Sequence, residues 1–371
     1  MEKILIIHNK YKQPGGEDVA VLNELSELNK IYKVEYLEFK NEYANIFSLV
    51  GSLFTGVNFK SNNRLKKKIH SFNPDIAYVH NSWFSASTGI FKILKNSNIK
   101  TLIKIHNFRF YCTKTILNKK HFLDSKNFCR GCGSTYKKNR LFNFYFKDSY
   151  LKSFMMFFYS KRYLRILRDS FFTILPITKF QIPYLIDIGV NEGNIKLNHN
   201  VIETIDQLQN SQIENSLVYA GRISEEKGVE DLIETFLSLD NNDYILKIIG
   251  DGPEYTRLKE SYKTEKIKFI GNLTNKDTLL EISNCKGVVT NTKLYEGQPN
   301  LICEASMLSK PSIFPDTGGL KEFFQDDYQY IFNQSDKDDL RKCLEKFILN
   351  NSQNTIIGEN CRVFFLNNIN N

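Results

Sequence analysis

The stretch LVYAGRISEEKGVEDLIETFLSL, residues 217–239, contains one complete unit of the fold. A short apolar run, 217–219, is followed by a loop that carries Arg222 and Lys227. After Gly228, apolar residues recur at the three- and four-residue spacing of a helix that buries one face. A buried strand, a loop and an amphipathic helix in this order predict a βα unit of a parallel sheet.

The same alternation occupies both halves of the chain. In the first half, the apolar runs are residues 3–8, 33–39, 75–80, 101–106 and 172–177, and helical spacing follows the first of them at 17–28. In the second half, the runs are residues 217–219, 245–249, 267–270, 288–290 and 313–314. Helical patterns there cover residues 229–239, 254–262, 276–282, 301–308 and 336–349. We therefore predict an α/β protein of two Rossmann-like domains.

The expected domain boundaries follow from breaks in this alternation. Residues 198–215 are polar and lack periodicity, which is typical of a linker. We expect a first domain at 1–200, a second at 201–350, and a tail or helix at 351–371 that could pack back on the first domain. An insertion at about residues 112–168 interrupts the first domain.

Composition favours a globular protein with anionic partners. Of the 371 residues, 42% are hydrophobic and 25% are charged, which argues against wholesale disorder. The net charge of +9 favours nucleotides, phospholipids or nucleic acid as partners. We expect no secretory leader and no spanning helix, because the N-terminal apolar run is short and no uncharged apolar run reaches about 18 residues. Seven scattered cysteines favour a reducing compartment, so we predict a cytoplasmic protein.

Two carboxylates stand out in EGQPNLICE, residues 296–304. Glu296 follows the apolar run 288–290, and Glu304 lies about one turn into the next helical pattern. Ligands of open α/β sheets bind at the carboxyl ends of the strands, where these residues are expected. Carboxylates there can accept hydrogen bonds from sugar hydroxyls, and the amide groups of Asn300 and Leu301 can meet a phosphate.

Other loops at the same expected edge carry glycines and cations. Gly221 and Arg222 open a loop that ends in Lys227 and Gly228, and such cations suit a diphosphate leaving group. Gly250 and Asp251 belong to a Gly-Asp-Gly-Pro loop, and Gly318 and Gly319 to Thr-Gly-Gly-Leu. Glycines allow backbone to approach a ligand closely or to turn sharply.

As an ordered set, these loops resemble those of the retaining glycosyltransferases of family four, which have the GT-B fold. The resemblance covers most of residues 217–324. It implies that Arg222 and Lys227 bind the donor diphosphate, that Glu296 contacts the donor sugar and that Glu304 contacts the ribose. The loop residues Gly221, Gly250 and Asp251, together with Asn300, Leu301, Gly318 and Gly319, would line the donor site. It also implies two domains that face each other across a cleft.

The first half resembles the family more loosely. Gly15 and Gly16 follow the first apolar run and would lie near the donor phosphate; a dinucleotide-binding loop is disfavoured because no Gly-x-Gly-x-x-Gly is present. His106 ends the run 101–106 and matches the active-site histidine of the family, where it could donate a hydrogen bond to the donor sugar or its phosphate. Arg109 is a candidate on the acceptor side. His8 and His80 also lie at strand ends.

The insertion carries two further hypotheses. Cys112, Cys129 and Cys132 could form a zinc site with His106 or His121, or could be reduced thiols without a ligand. The segment from Tyr136 to Arg168 interleaves cations with aromatic side chains. This pattern suits an anionic membrane surface, although single-stranded RNA or a helix packed into the core is compatible with it.

We predict a glycosyltransferase that moves a sugar, hexosyl in type, from a UDP- or GDP-sugar to a hydroxyl of a saccharide or lipid-linked acceptor. The catalytic candidates are His106, Arg222, Lys227 and Glu296, and no metal or other cofactor is expected. The resemblance suggests polysaccharide or glycan biosynthesis with retention, on the inner face of the membrane. The alternatives are a sugar-nucleotide epimerase on the same fold and a basic nucleic-acid-binding protein.

Overall fold

The computed structural model describes residues 1–10, 15–40, 55–112, 150–202, 213–240 and 243–369, with side chains from 154 onward in the segment that begins at 150. The chain forms two compact units, Met1–Val201 and Ile202–Asn371. Each unit is built around its own sheet, and every strand pairing described in it is parallel.

The first unit contains a five-stranded sheet in the order β2-β1-β3-β4-β5. Its strands are β1 (Lys3–Lys10), β2 (Lys33–Lys40), β3 (Ile76–Val79), β4 (Lys100–Ile105) and β5 (Phe172–Pro176). Its described helices are α1 (Gly16–Ile31), α2 (Phe59–Phe72), α3 (Gly89–Asn96), α4 (Tyr150–Leu167) and α5 (Ile182–Asp187). The interior strand β1 is buried on both faces, which explains its nearly continuous apolar sequence.

The second unit contains a six-stranded sheet in the order β11-β10-β9-β6-β7-β8. Its strands are β6 (Ser216–Ala220), β7 (Ile245–Ile249), β8 (Ile267–Gly271), β9 (Gly287–Val289), β10 (Ser312–Asp316) and β11 (Ile331–Asn333). Its described helices are α6 (Val229–Leu237), α7 (Tyr255–Ser261), α8 (Asn275–Asn284), α9 (Asn300–Met307), α10 (Lys337–Leu349) and α11 (Asn354–Asn368).

The described strands match the apolar runs of the sequence closely, and the two parallel α/β sheets confirm the predicted fold class. β7 coincides with the run 245–249, and β6 extends the run 217–219 by one residue at each end. β11 has no counterpart among the predictions.

The end of the chain packs within the second unit. α11 lies against α9, and its side chains Cys361 and Phe365 are fully buried in the core of that unit. The sequence predicted a tail or helix here; within the second unit, the helix contributes to the core. Among the described helices, none combines the length and apolar character needed to cross a membrane.

The contribution of α11 to stability can be measured with two substitutions on the same helix. Phe365 is fully buried, whereas Val363 is 58% exposed. We expect Phe365→Ala to lower the free energy of unfolding by about 3–5 kcal/mol, because it leaves a cavity in the core. Val363→Ala should change it by less than about 0.5 kcal/mol. Equal effects in urea unfolding of the whole protein would show that α11 is not part of the core.

Candidate functional site

The loops singled out in the sequence lie at one edge of the second sheet. They follow β6, β7, β9 and β10, and the carboxyl ends of parallel strands meet at the same edge. The loop after β7 is joined to the loop after β6 by backbone hydrogen bonds, since Ile223 N donates to Asp251 O at 2.9 Å and Glu254 N donates to Ile223 O at 3.1 Å. The sheet therefore gathers the candidate donor residues into one surface.

Lys227 and Glu296 form an ion pair at this edge. Lys227 ends a short 3-10 turn, and the next residue, Gly228, has φ of +65°. A Cβ atom at Gly228 would lie 2.3 Å from the carbonyl oxygen of Asn291, so only glycine lets the two loops approach this closely. Thr292 Oγ1 donates a further hydrogen bond of 2.9 Å to Glu296 Oε1.

Gly318 and Gly319 hold the backbone of Glu296. Gly319 N donates to Glu296 O at 2.9 Å. Gly318 has φ of +57°, and a Cβ atom on it would lie 2.2 Å from the same oxygen. Both glycines therefore fix the backbone position from which the Glu296 side chain extends. The side chain itself is 22% exposed and reaches solvent.

Glu304 is a buried carboxyl within α9. Its exposed fraction is 8%, and burial raises its pKa to about 7. Asn300 and Leu301 form the first turn of the same helix, after Pro299, which provides no side-chain cap. The amide groups at a helix start can bind an anion, and a carboxyl that is partly neutral at pH 7 can both donate to and accept from a hydroxyl.

The remaining predicted donor residues differ in their surroundings. Gly221 and Arg222 are exposed, and the Arg222 carbonyl accepts a hydrogen bond of 2.8 Å from the Tyr219 hydroxyl. Gly250 is buried and donates its amide to Gly271 O at 2.8 Å. The Asp251 carboxylate accepts from Gly252 N at 2.7 Å, so in this structure it stabilises its own turn.

In the first unit, Gly15 and Gly16 begin α1. Gly15 N donates to Asp18 Oδ2 at 2.8 Å, and Asp18 Oδ1 lies 2.9 Å from His8 Nε2. His8 and Asp18 are both buried. The glycine turn is therefore tied through Asp18 to the end of β1.

His106 directly follows β4 and is half-buried. Its Nε2 lies 3.0 Å from His80 Nδ1, and His106 and His80 line a small cavity together with Asn81, Trp83 and Arg109. The Arg109 guanidinium lies over the Trp83 ring, 5.1 Å from its centroid. The structure thus brings His106 and the acceptor-side candidate Arg109 to the same cavity.

Sequence reasoning missed two buried charged residues at this cavity, of which Lys104 lines it. Glu24 and Lys104 are 3% and 1% exposed and form an ion pair. Lys104 was detectable as the one cation inside the apolar run TLIKI, residues 101–105. Glu24 lies on the buried face of α1, and nothing in the sequence distinguishes it from a solvated helix residue.

The insertion is described only in part. Cys112 is buried, whereas Cys129, Cys132 and His121 lie outside the described residues, so the zinc hypothesis stays a prediction. In the described part of α4, Tyr159 and Tyr163 are buried, and Tyr159 donates a hydrogen bond to Ser82 O at 2.7 Å. These aromatic rings pack into the first unit. Arg165 and Arg168 are exposed, and residues 136–149 lie outside the described ranges.

The burial of Glu304 predicts a pH dependence of stability in the ligand-free protein. A carboxyl whose pKa rises from 4.5 to about 7 on folding stabilises the folded state at low pH, and this contribution is lost as pH rises through 7. Relative to Glu304→Gln, we expect the free energy of unfolding to fall by about 3 kcal/mol between pH 4.5 and 7. A difference that stays constant in urea titrations at several pH values would contradict a raised pKa.

The second unit, which carries this edge, matches a family of known proteins. Residues 201–364 match the family model described as "Glycosyl transferases group 1". An uncharacterized glycosyltransferase of Methanocaldococcus jannaschii, MJ1069, is 22% identical over 60% of this chain and 61% of its own length. The amylovoran biosynthesis glycosyltransferase AmsD of Erwinia amylovora is 26% identical over 39% of this chain and 42% of its own length. The chain thus spans less than two thirds of these relatives.

Solved structures match the whole chain. HepE of Anabaena, in complex with UDP and glucose, has a TM-score of 0.69 at 15% identity and covers 100% of this chain and 96% of its own. Sucrose-phosphate synthase of Thermosynechococcus elongatus has a TM-score of 0.72 at 13% identity and covers 100% and 95%. These likenesses concern the fold. The chain has the two-domain GT-B fold, and its residues 201–364 match the glycosyl transferases group 1 family.

Proposed function

We propose that this protein transfers a sugar from a nucleoside diphosphate sugar to a hydroxyl of a saccharide or lipid-linked acceptor. The observation that carries the proposal is the Lys227–Glu296 pair, held against Gly318 and Gly319 at the carboxyl edge of the second sheet. This edge lies within the part of the chain that matches the glycosyltransferase family. A cation and a carboxylate in contact, both partly exposed, suit a ligand that has a diphosphate beside sugar hydroxyls.

The chemistry follows from the charges. In the reaction, the bond between the anomeric carbon and the diphosphate oxygen breaks. The acceptor oxygen bonds to that carbon, and its proton leaves with the diphosphate. Arg222 and Lys227 would offset the charge that develops on the leaving oxygens, which is where a fixed cation lowers the barrier most. The proposal includes retention at the anomeric carbon, which rests on the family resemblance.

Two carboxyls would recognise the rest of the donor. Glu296 would accept hydrogen bonds from the sugar hydroxyls once Lys227 turns to the diphosphate. Glu304 would bind the ribose hydroxyls, because a buried carboxyl with a pKa of about 7 has the capacity to donate and accept. The amide groups of Asn300 and Leu301 would meet the phosphate at the start of α9.

The donor is proposed to be a UDP- or GDP-sugar of a hexose. HepE was solved with UDP and glucose, and with UDP-glucose, which makes UDP the first nucleotide to test. A thermal-shift series with UDP, GDP and ADP would identify the base, because a ligand that binds only the folded state raises stability with the logarithm of its concentration.

Polysaccharide biosynthesis is the proposed context, since AmsD is named for the biosynthesis of amylovoran. A lipid-linked acceptor would place the protein at the inner surface of a membrane. The exposed cations Arg165 and Arg168 could contribute to that contact, whereas the buried rings of Tyr159 and Tyr163 are committed to the core.

Substitution of Glu296 separates sugar recognition from nucleotide binding. We expect Glu296→Gln to lose most transfer activity, because it removes a charged hydrogen-bond acceptor for the sugar hydroxyls. It should bind the free nucleoside diphosphate at least as tightly as the wild type, because Lys227 loses its anionic partner. The measurements are product formation and calorimetric titration with the nucleotide. A parallel fall in nucleotide affinity and turnover would contradict this role. Conversion of the donor in the absence of acceptor would indicate an epimerase.

Substitution of the two cations tests the leaving-group role. We expect Arg222→Ala and Lys227→Ala each to lower kcat/KM by about 10²-fold, the size of effect seen when a stabiliser of a developing anion is removed. Arg257→Ala and Lys259→Ala are the matched controls, because both are exposed cations elsewhere on the second unit. Their activity, measured as release of the nucleoside diphosphate, should equal that of the wild type. Full activity of either test variant would contradict the assignment.

A further inference from the structure

A polar cluster borders the cavity of the first unit, and three of its four members line that cavity. It consists of Glu24 on α1, His80 after β3, Lys104 in β4 and His106 after β4. The side chains of His80, Lys104 and Glu24 are exposed by only 0%, 0% and 4%. Burying so many polar groups is costly unless each has a partner, so the arrangement of protons among them is constrained.

The Lys104 ammonium is fully paired. It contacts Glu24 Oε1, donates to Asn198 Oδ1 at 2.8 Å and donates to the carbonyl oxygen of His199 at 2.9 Å. Three acceptors match the three N–H bonds of a protonated lysine. The second oxygen of Glu24, Oε2, faces His80 Nε2 at 3.7 Å.

The two histidines are neutral at pH 7. Burial lowers the pKa of His80 and of His106 well below the usual range, and Lys104 lowers both further. Each ring therefore carries a single N–H. Because His80 Nδ1 and His106 Nε2 are 3.0 Å apart, one of these two atoms holds a proton and the other accepts it.

The Glu24 carboxylate determines whether His80 Nδ1 or His106 Nε2 carries that proton. An N–H on His80 Nε2 points its positive end towards Glu24 Oε2, whereas a lone pair there would face a negative oxygen. Tyr78, whose ring centroid lies 4.3 Å from that of His80, is also neutral, because burial and Glu24 raise its pKa. With its proton on Nε2, His80 has a lone pair on Nδ1, and His106 must donate from Nε2.

We propose that His80, oriented by Glu24, is a positioning residue that holds His106 with its proton on Nε2, so that His106 Nδ1 accepts a hydrogen bond from a sugar hydroxyl. This inference rests on the proposed function. His106 Nδ1 is buried without a hydrogen-bond partner among the described residues, and His106 lines the cavity. An acceptor there favours O–H groups and disfavours phosphate oxygens. In this proposal His106 accepts a hydrogen bond from the sugar, whereas the sequence predicted that it donates one to the sugar or its phosphate.

The proton positions can be read directly in the ligand-free protein. We expect long-range proton–nitrogen spectra of the ¹⁵N-histidine-labelled protein to show His80 and His106 both protonated on Nε2. The exposed His70 supplies a reference in the same spectrum. Protonation of His106 on Nδ1 would overturn the proposal. This measurement needs no substrate, so its outcome is independent of whether the protein transfers sugars.

Two substitutions of His80 separate positioning from packing. In His80→Asn, the side-chain amide oxygen can occupy the place of Nδ1 and accept from His106 Nε2, whereas His80→Leu offers no acceptor. We expect His80→Asn to keep the His106 proton on Nε2 and most of kcat/KM. We expect His80→Leu to lower kcat/KM by about 10- to 100-fold, the range known for partners that orient metal-binding histidines. Equal activity of the two variants would contradict a positioning role.

A double-mutant cycle completes the test. If His80 acts through His106, His80→Leu should have little further effect on kcat/KM in the His106→Gln background. Tyr159→Phe is the stability control, because it removes one buried hydrogen bond in the same unit without touching either histidine. It should lower the melting temperature and leave kcat/KM close to the wild-type value. Additive effects of the two histidine substitutions would refute coupling between them.

Discussion

The common direction of the strands is the constraint on which the rest of the structure depends. In both units every described pairing is parallel, so each strand delivers its carboxyl end to the same edge. Helices must then return the chain to the opposite edge before the next strand. Loops that are far apart in sequence, such as those that hold Lys227 and Glu296, thereby become neighbours in the folded unit.

A second constraint is electrostatic and lies inside the first unit. Glu24 and Lys104 are buried together, and removing two charges from water costs several kcal/mol that only close pairing and additional hydrogen bonds offset. Asn198 and the carbonyl oxygen of His199 complete that pairing. Since these two residues precede the boundary between the units, the ion pair also fixes the last segment of the first unit against β4.

Much of the fold could be predicted from the sequence, because period and composition identify buried strands such as β1 and β7. The packing of α11 could not, since it depends on Cys361 and Phe365 entering a core made by other elements. The orientation of α4 was equally hidden. Its basic and aromatic residues fit a membrane surface or a core, and only the packing shows that Tyr159 and Tyr163 face inward.

The same division holds for the candidate site. Glycines such as Gly318 mark a close backbone approach, and an ordered set of such loops is readable from the sequence. The burial of Glu304 and the contact of His80 with His106 depend on distances between elements, which no local pattern encodes. Local sequence therefore indicates candidate residues for a ligand site, and tertiary structure decides their protonation.

The ion pair of Lys227 with Glu296 has a consequence for product release. In the ligand-free protein, Glu296 forms an ion pair with Lys227, the cation that the proposed diphosphate would need. The Glu296 carboxylate therefore competes with the diphosphate for Lys227. The observed affinity for any nucleoside diphosphate is then the intrinsic affinity multiplied by the fraction of molecules in which Lys227 is disengaged. This factor is the same for every base and sugar. The competition lowers the affinity for the nucleoside diphosphate product and so favours its release. Discrimination among donors then depends on the parts of the site that contact the base and the sugar.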